Sequence, residues 1–515
     1  MAVGITDVLL YIAGALVTHL LISTFLLSKK RRAKNSPPSP PGLPFLGNIS
    51  IFLFSSGKSP WLVFKDLAAR FGDIFKLNVA GKQFLVLSSP EAIREAFVRK
   101  SGQFAGRPFM YSISLISQGN CGIAFGDSSP AWKFHRKNTA SALRQHLKSG
   151  ALFEDGSLTR AETAIQREIE DWLGTIARKP EQEVLVEEDL TTSLINVICN
   201  MTFSKRYDQT DPELTAFVDA NSRLKELLSP GHPLDLFPVL RVLPLKRLRT
   251  IQEIISIQDQ IVRREYREHL DTFDPDNIRD LTDAFLQVMK EVNDGHSGDE
   301  FMMTENHVIM WMFEVFSGGF ESSLQTMRWV VAYLLHNPEV QRQAQSVLDN
   351  NVYNRLPCWG DRQRLAYIEA IVLETLRHSS LSSLNAPHKT TCDTSVGGFD
   401  VAKDTTVITN LWWVHHDPNL WDQPSQFKPE RFINSDGQCA TPKYFMPFSI
   451  GGRECLGKKL AMMQLFLFVA GLLQNFSIRA PRDNELPELE PTLTLPIRTV
   501  PNYRVMLEKR ECSQF

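Results

Sequence analysis

Residues 448–457 read FSIGGRECLG, and a helix-forming run, KKLAMMQLFLFVAGLLQNF, follows directly. A free cysteine is mostly protonated at neutral pH, so a permanent thiolate needs a metal, a neighbouring cation or a helix N-terminus. The predicted helix would direct the positive end of its dipole and its unpaired N–H groups at the sulfur of Cys455. These residues therefore predict a metal-bound thiolate.

The surroundings of Cys455 favour a flat, bulky ligand. Gly451 and Gly457 permit a close backbone approach that a Cβ would obstruct. Phe448 is placed to shield one side of the sulfur, and Arg453 is placed to pair with an acidic group on the ligand's rim. Haem with an axial cysteine meets these requirements.

Two other interpretations of this segment exist. A buried structural cysteine after a glycine turn is common in proteins. GRECLGKK, residues 452–459, also approaches a phosphate-binding loop, but Lys459 stands where that loop needs Ser or Thr, and too little chain follows for a nucleotide domain. We set the phosphate-binding interpretation aside.

The pattern Phe-x-x-Gly-x-Arg-x-Cys-x-Gly resembles the signature of the cytochrome P-450 family of haem-thiolate monooxygenases at every fixed position. The resemblance implies haem b as the cofactor and Cys455 as its iron ligand. It also implies cofactor-binding roles for Phe448, Gly451, Arg453 and Gly457.

Two further segments resemble propionate-binding elements of that family. Trp132 and Arg136 lie four residues apart, on one face of a helix predicted over 131–148. In the family, Trp-x-x-x-Arg supports a haem propionate, whereas the alternative is a basic surface helix. His388, which follows Pro387, resembles a second propionate-binding residue.

A long helix is predicted over 305–336, ending at an Asn-Pro pair, with FSGGFESS at its centre. Gly318 and Gly319 together cost a helix about 1–2 kcal/mol relative to alanine, which is tolerable where the helix must open or admit a ligand. The segment resembles the family's oxygen-activating motif and implies catalytic roles in proton delivery for Glu321 and Ser322. Serine replaces the usual threonine, which places the efficiency of coupling in question. The alternative is a solvated helix face.

The substrate side is less specific. The resemblance suggests Gly318, Gly319 and Ala386 as substrate neighbours, with Ser382 as a polar contact. Ordinary turn chemistry explains the serines equally well.

Glu374 and Arg377 lie three residues apart on a helix predicted over 365–378, and Arg431 follows in PERF. A Glu-Arg pair by itself means little. In the family, these three residues form a buried structural network behind the haem.

Composition indicates which kinds of partner, ligand and compartment to expect. The formal net charge of −2 gives no reason to expect a nucleic-acid partner. The 32 Phe residues and 43% hydrophobic content provide material for a large core and an apolar pocket, so a lipophilic small molecule is expected. The seven cysteines are scattered without a CxxC pair, which favours a reducing compartment.

The N-terminus predicts a membrane anchor. The apolar run at 8–27 is long enough to span a bilayer, and the basic cluster KKRRAK follows it. The alternative, a cleaved signal peptide, lacks a basic start and a small-residue cleavage site. We predict a transmembrane signal anchor at 1–28, a basic and proline-rich hinge at 29–48, and a catalytic domain at 49–515. This arrangement predicts a single-pass protein of the endoplasmic reticulum membrane with a cytosolic catalytic domain.

The order of the motifs matches the family throughout, so the resemblance implies a mainly α fold with small β-sheets, the cytochrome P-450 fold. Residues 394–432 and 275–285 look like the animal microsomal group that includes steroid 17α-hydroxylase and the aryl-hydrocarbon hydroxylases. The implied function is insertion of one oxygen atom from O2 into a steroid-like or polycyclic aromatic substrate.

The sequence contains no flavin or NAD(P) fingerprint, so electrons must come from outside. The resemblance implies NADPH–cytochrome P-450 reductase as the electron donor, with cytochrome b5 as a further partner. The exposed lysines expected at 133, 137, 458 and 459 would form the docking face. Two alternatives remain, a haem-thiolate isomerase or dehydratase and a non-catalytic haem-binding protein.

Overall fold

The computed structural model describes residues 35–511, with gaps at 44–46, 54, 56, 118–120, 149–159, 179–182, 228–232, 237, 239–240, 242–245, 296–301, 354, 482–484 and 491–496. The predicted anchor at 1–28 and the start of the hinge lie outside the described residues. Among the helices that are described, none is both long enough and apolar enough to cross a membrane.

Helices dominate the described chain, as predicted. In chain order they are α1 (Ile49–Leu53), α2 (Pro60–Phe71), α3 (Pro90–Arg94), α4 (Tyr111–Ile116), α5 (Pro130–Lys148), α6 (Arg160–Ala177), α7 (Val186–Phe203), α8 (Pro212–Leu227), α9 (Pro233–Leu236), α10 (Lys246–Asp271), α11 (Leu281–Asn293), α12 (Glu305–His336), α13 (Pro338–Asn351), α14 (Ala366–Ser379), α15 (Leu411–His416) and α16 (Lys458–Asn475).

The strands are short. They are β1 (Ile74–Val79), β2 (Lys82–Leu87), β3 (Glu183–Leu185), β4 (His388–Lys389), β5 (Thr394–Val396), β6 (Phe399–Val401), β7 (Thr406–Thr409), β8 (Phe476–Arg479) and β9 (Arg504–Lys509). They form a sheet of order β1-β2-β7-β4, a sheet of order β3-β9-β8 and a β5-β6 hairpin. All pairs are antiparallel except β2-β7, which is parallel with Phe84 opposite Thr406.

The chain divides into two compact units. The described part of the first unit comprises 35–108 and 384–413 and contains the four-stranded sheet. Phe75 and Val86 lie opposite each other in β1 and β2 and are fully buried, and so is Leu87 on the other face of β2. The hairpin predicted from the alternation in FKLNVAGKQFLVLSS is confirmed as β1-β2.

The second unit comprises the described residues of 109–383 and 414–511, and α12 runs through its core. This helix packs against α7, α11, α14 and α16. It buries Trp311, Trp329 and Tyr333 almost completely, which accounts for its apolar composition. Its bounds, Glu305–His336, match the predicted helix, and Thr304 with His307 forms a capping box at its start.

Glu374, Arg377 and Arg431 form a buried network in the second unit. The Glu374 carboxylate accepts two hydrogen bonds from Arg377, at 2.7 and 2.8 Å, and one from Arg431 Nε at 3.0 Å. Glu374 and Arg377 are both 0% exposed. The ring of Trp421 lies 5.3 and 5.9 Å from the two guanidinium carbons. The cost of burying these charges is offset only while every partner remains in place.

We expect Glu374→Ala to lower the free energy of unfolding by about 3–5 kcal/mol, because two buried guanidinium groups would lose their counter-ion. The exposed Asp219–Arg223 pair, 3.3 Å apart, provides a control. Arg223→Ala should change stability by less than about 1 kcal/mol. Urea unfolding followed by tryptophan fluorescence measures both, and equal losses in the two variants would contradict the structural role of Glu374.

Candidate active site

Cys455 lies between a tight turn and the N-terminus of α16. Gly451, with φ +78°, begins the single helical turn Gly451–Arg453, a backbone conformation that favours glycine. The chain then reverses, so that the N–H of Cys455 donates to the carbonyl of Phe448 at 3.0 Å. The Phe448 ring packs against the core, whereas Cys455 is exposed.

The electrostatics of Cys455 oppose a free thiolate. Desolvation by the surrounding protein raises the pKa of the thiol above its usual value near 9.0. The N–H groups of Gly457 and Lys458 and the charge of Arg136 lower the pKa, but they do not outweigh the desolvation. The helix N-terminus is therefore insufficient by itself, and a stable thiolate here requires a bound cation.

Trp132, Arg136 and Arg453 form one cluster beside Cys455. The Arg453 guanidinium stacks on the Trp132 ring, 3.5 Å from its centroid, and Arg136 lies 5.7 Å from the same centroid. Arg453 donates to the carbonyls of Ile123 and Gly126, and Trp132 Nε1 also donates to Ile123 at 2.9 Å. The structure thus brings the predicted residues Arg136, Arg453 and Trp132 together.

Glu314 holds the loop that this cluster binds. Its carboxylate accepts the N–H groups of Ile123 at 2.7 Å and Ala124 at 3.0 Å. A Cβ at Gly122 would lie 2.1 Å from its oxygen, so a larger residue there would displace the Glu314 carboxylate from this position. Burial raises the pKa of Glu314 from about 4.5 to about 7, against the opposing effect of these N–H groups and of Arg453 and Arg136.

The glycine pair of α12 has two different functions. A Cβ at Gly319 would approach Cδ1 of Ile198 of α7 to 2.7 Å, so glycine allows α7 to pack closely on α12. The substrate contact suggested for Gly319 stays a prediction. Gly318 is exposed, and a Cβ added there would meet none of the described atoms within 4 Å. The helix is therefore open to a ligand at Gly318. The substrate contact suggested for Gly318 stays a prediction.

Glu314, Gly318 and Ser322 are spaced four residues apart and share one face of α12. Ser322 is half-buried, and its hydroxyl donates to the carbonyl of Gly318 at 3.1 Å. Hydroxyl groups that bond the previous turn weaken a helix locally. The neighbouring Ser323 donates to Gln464 of α16 at 3.2 Å, so the helix that starts after Cys455 packs directly against this part of α12.

Glu321 points to another side of α12. It is buried, at 7% exposure, and Asn221 of α8 donates to its Oε2 at 3.1 Å. The alternative of a solvated helix face does not hold for Glu321. Its predicted catalytic role stays a prediction.

His388 and Ala386 belong to the first unit. The His388 ring is buried, stacks on Phe97 with centroids 3.9 Å apart, and bonds the Phe104 carbonyl through Nδ1 at 2.8 Å. Arg107 donates to the carbonyl of Ala386 at 2.8 Å. Ser382, in the second unit, is half-buried. The propionate and substrate roles of these residues stay predictions.

The residues of the second unit fit haem. A metal porphyrin with acidic side chains would require a thiol to bind the metal, an open surface for the ring and cations for the acidic groups. Cys455, the open helix surface at Gly318, and the two arginines beside Trp132 provide them. Cys455 would hold the iron, and Arg136, Arg453 and Trp132 would lie near the acidic rim.

Sequence reasoning missed Glu314 and Asn221. The detectable signal for Glu314 was a lone acid in the apolar run IMWMFEVF, one turn before the glycine pair. Asn221 lies in an amphipathic stretch without a motif, and only the packing of α8 against α12 identifies it.

A family model described as Cytochrome P450 matches residues 37–504 of the chain. Steroid 17-alpha-hydroxylase/17,20 lyase of Gallus gallus is 34% identical over 480 residues, which is 92% of each chain. Cytochrome P450 1A1 of Canis lupus familiaris is 32% identical over 490 residues, 93% of this chain and 89% of that protein.

A solved structure of a zebrafish cytochrome P450 with progesterone is also similar. It has a TM-score of 0.77 and 34% identity, and the match covers 88% of this chain and 100% of that chain. The similarity therefore extends over nearly the whole catalytic region.

We expect the stability of the protein to depend on pH through Glu314. Because its pKa in the folded chain is raised to about 7 from 4.5, the folded state holds a proton between these values that the unfolded state has lost. Stability should therefore fall as the pH rises from about 4.5 to about 7 and level off above that range. Glu314→Gln removes this titration, so wild type should lose stability relative to the variant between these two pH values.

Urea midpoints of the haem-loaded protein measured over this pH range would test the expectation. Glu305→Gln, at the exposed start of the same helix, is the control and should follow the wild-type curve. Parallel curves for wild type and Glu314→Gln would contradict the assignment.

Proposed function

Because the chain belongs to the cytochrome P450 family, we propose that it is a haem-thiolate monooxygenase that hydroxylates a steroid-like lipophilic substrate. The monooxygenase activity follows from the family and from relatives that span more than nine-tenths of the chain. The steroid class is our inference. The observation that carries it is the similarity to a zebrafish enzyme whose structure contains progesterone.

When bound, haem supplies the redox chemistry that activates molecular oxygen. Cys455 would hold the iron, and the thiol that the protein alone cannot keep ionised would become a stable thiolate. Arg136 and Arg453 would compensate the acidic rim, since both lie against Trp132 beside the thiol. Loop 122–126, bound by Glu314, keeps Arg453 in place.

Protons would reach the reaction from α12. In our proposal, Glu321 holds a proton at a carboxylate oxygen and Ser322 passes one on through Oγ. Ser322 Oγ donates to the Gly318 carbonyl and retains lone pairs that can accept. Gly318 leaves the open surface next to which a substrate would lie.

A planar aromatic substrate is the second candidate. It is favoured by the 32% identity to Cytochrome P450 1A1. The isomerase and the non-catalytic haem protein have no such relative among those compared above.

We infer that electrons come from NADPH–cytochrome P-450 reductase, with cytochrome b5 as a further partner. Four lysines support a basic docking face, and all are exposed in the second unit: Lys133, Lys137, Lys458 and Lys459. They flank Trp132 and Cys455 in the sequence, so an acidic redox partner would dock near the thiol.

The absorption spectrum of the reduced protein with carbon monoxide tests the central assignment. Wild type should give a strongly red-shifted Soret band, which Cys455→Ala should lose. Cys392→Ala, another exposed cysteine, is the control and should keep the band. A band unchanged in Cys455→Ala would overturn the thiolate assignment.

The same preparation tests the substrate class. Progesterone should displace the resting Soret band at micromolar concentrations and yield a hydroxylated product with NADPH and reductase. Saturation by a polycyclic aromatic hydrocarbon with no response to progesterone would favour the second candidate instead.

We also infer that residues 1–28 anchor the protein in the endoplasmic reticulum membrane with the catalytic domain in the cytosol. The support is the apolar run at 8–27 and the basic cluster that follows. After alkaline carbonate washing, the full chain should remain with membranes and a chain beginning at residue 29 should be enriched in the supernatant. Release of the full chain would contradict the anchor.

A further inference from the structure

Three polar side chains form a row along the apolar helix α12. Glu321, Gln325 and Arg328 lie at spacings of four and three residues and so share one face. Their exposures are 7%, 1% and 4%. Buried polar groups in a hydrophobic core are costly unless they are paired, so each requires a partner.

The partners form a continuous chain. Gln325 Nε2 donates to Glu321 Oε1 at 3.1 Å, and Arg328 Nη1 donates to Gln325 Oε1, also at 3.1 Å. A guanidinium can only donate, so the amide oxygen of Gln325 must face Arg328. The Gln325 amide nitrogen is therefore directed at Glu321. The direction of every bond in the chain is thus determined by Arg328.

Arg328 is itself held at the outer end of the row. Its Nη1 lies 2.9 Å from the carboxylate of Glu187, and its Nη2 donates to Val500 and Asn502. The Glu187 side chain is 34% exposed and lines a cleft of about 530 Å³ together with Arg328 and Asn502. The row therefore extends from the interior of the second unit to its surface.

We propose that Gln325 and Arg328 are positioning residues that fix the orientation of the Glu321 carboxylate for proton supply. Gln325 holds one carboxylate oxygen and Asn221 holds the other, so the plane of the carboxylate is set from two helices. Neither the amide nor the guanidinium can relay a proton near neutral pH, so both act through geometry and charge. This inference rests on the proposed catalytic role of Glu321.

The test compares Gln325→Met with a matched control. Met keeps the length of the side chain but removes the donor to Glu321. Gln345 of α13 is also a buried helical glutamine, and it donates to Phe476 and Ser477 instead. Gln345→Met therefore loses comparable hydrogen bonds without affecting Glu321. Glu321→Gln is the reference for loss of the acid.

The first readout is the infrared spectrum of the resting protein. The carboxylate band that Glu321→Gln removes should shift in Gln325→Met and stay in place in Gln345→Met. The second readout is peroxide released per NADPH consumed with reductase and progesterone. We expect it to rise about fivefold in Gln325→Met, the factor associated with losing one buried hydrogen bond, with KM unchanged.

The outcomes separate the positioning role of Gln325 from the catalytic role of Glu321. An infrared band unmoved by Gln325→Met, or a peroxide yield raised equally by Gln345→Met, would overturn the positioning role. A band that moves while Glu321→Gln leaves the peroxide yield unchanged would show that Glu321 is not the acid, and the catalytic part of the inference would then fail with that role.

Discussion

The competition between desolvation and charge stabilisation at Cys455 is the constraint on which the candidate site depends. The protein surrounds the sulfur closely enough to raise the pKa of the thiol, and it offers two N–H groups and one arginine that only partly offset this effect. The neutral thiol is therefore favoured here, and a thiolate would need a bound cation. The fold therefore supplies a position for a metal thiolate and leaves the stabilisation of its charge to the bound group.

The same balance governs the charged groups around the site. Glu314, Glu321 and Glu374 are carboxylates in the second unit, and each is held by a different set of donors. Glu374 accepts from two arginines and the N–H of Lys428, Glu321 from two side-chain amides, and Glu314 from two backbone N–H groups. The arginine-paired carboxylate braces the structure. The two on α12 are held by neutral donors, and burial raises the pKa of Glu314 to about 7.

Helix α12 connects these features. Its apolar faces bury large aromatic side chains and stabilise the second unit. Its interruptions have separate causes: Gly319 permits close packing of α7, Gly318 leaves an open surface, and Ser322 bonds the preceding turn. A single helix can thus be structural along most of its length and present an open surface at one position, Gly318.

The sequence by itself determined the main elements and the candidate ligand. The bounds of α12, the β1-β2 hairpin and the helix after Cys455 follow from local periodicity and caps, which act over a few residues. Only the tertiary structure decided three contacts: Ile198 with Gly319, Asn221 with Glu321, and Glu314 with loop 122–126. These contacts join residues far apart in the chain, and no local pattern encodes which side chains meet. The pKa shifts of Cys455 and Glu314 are also decided by tertiary structure, since the burial that raises both is a property of the folded chain.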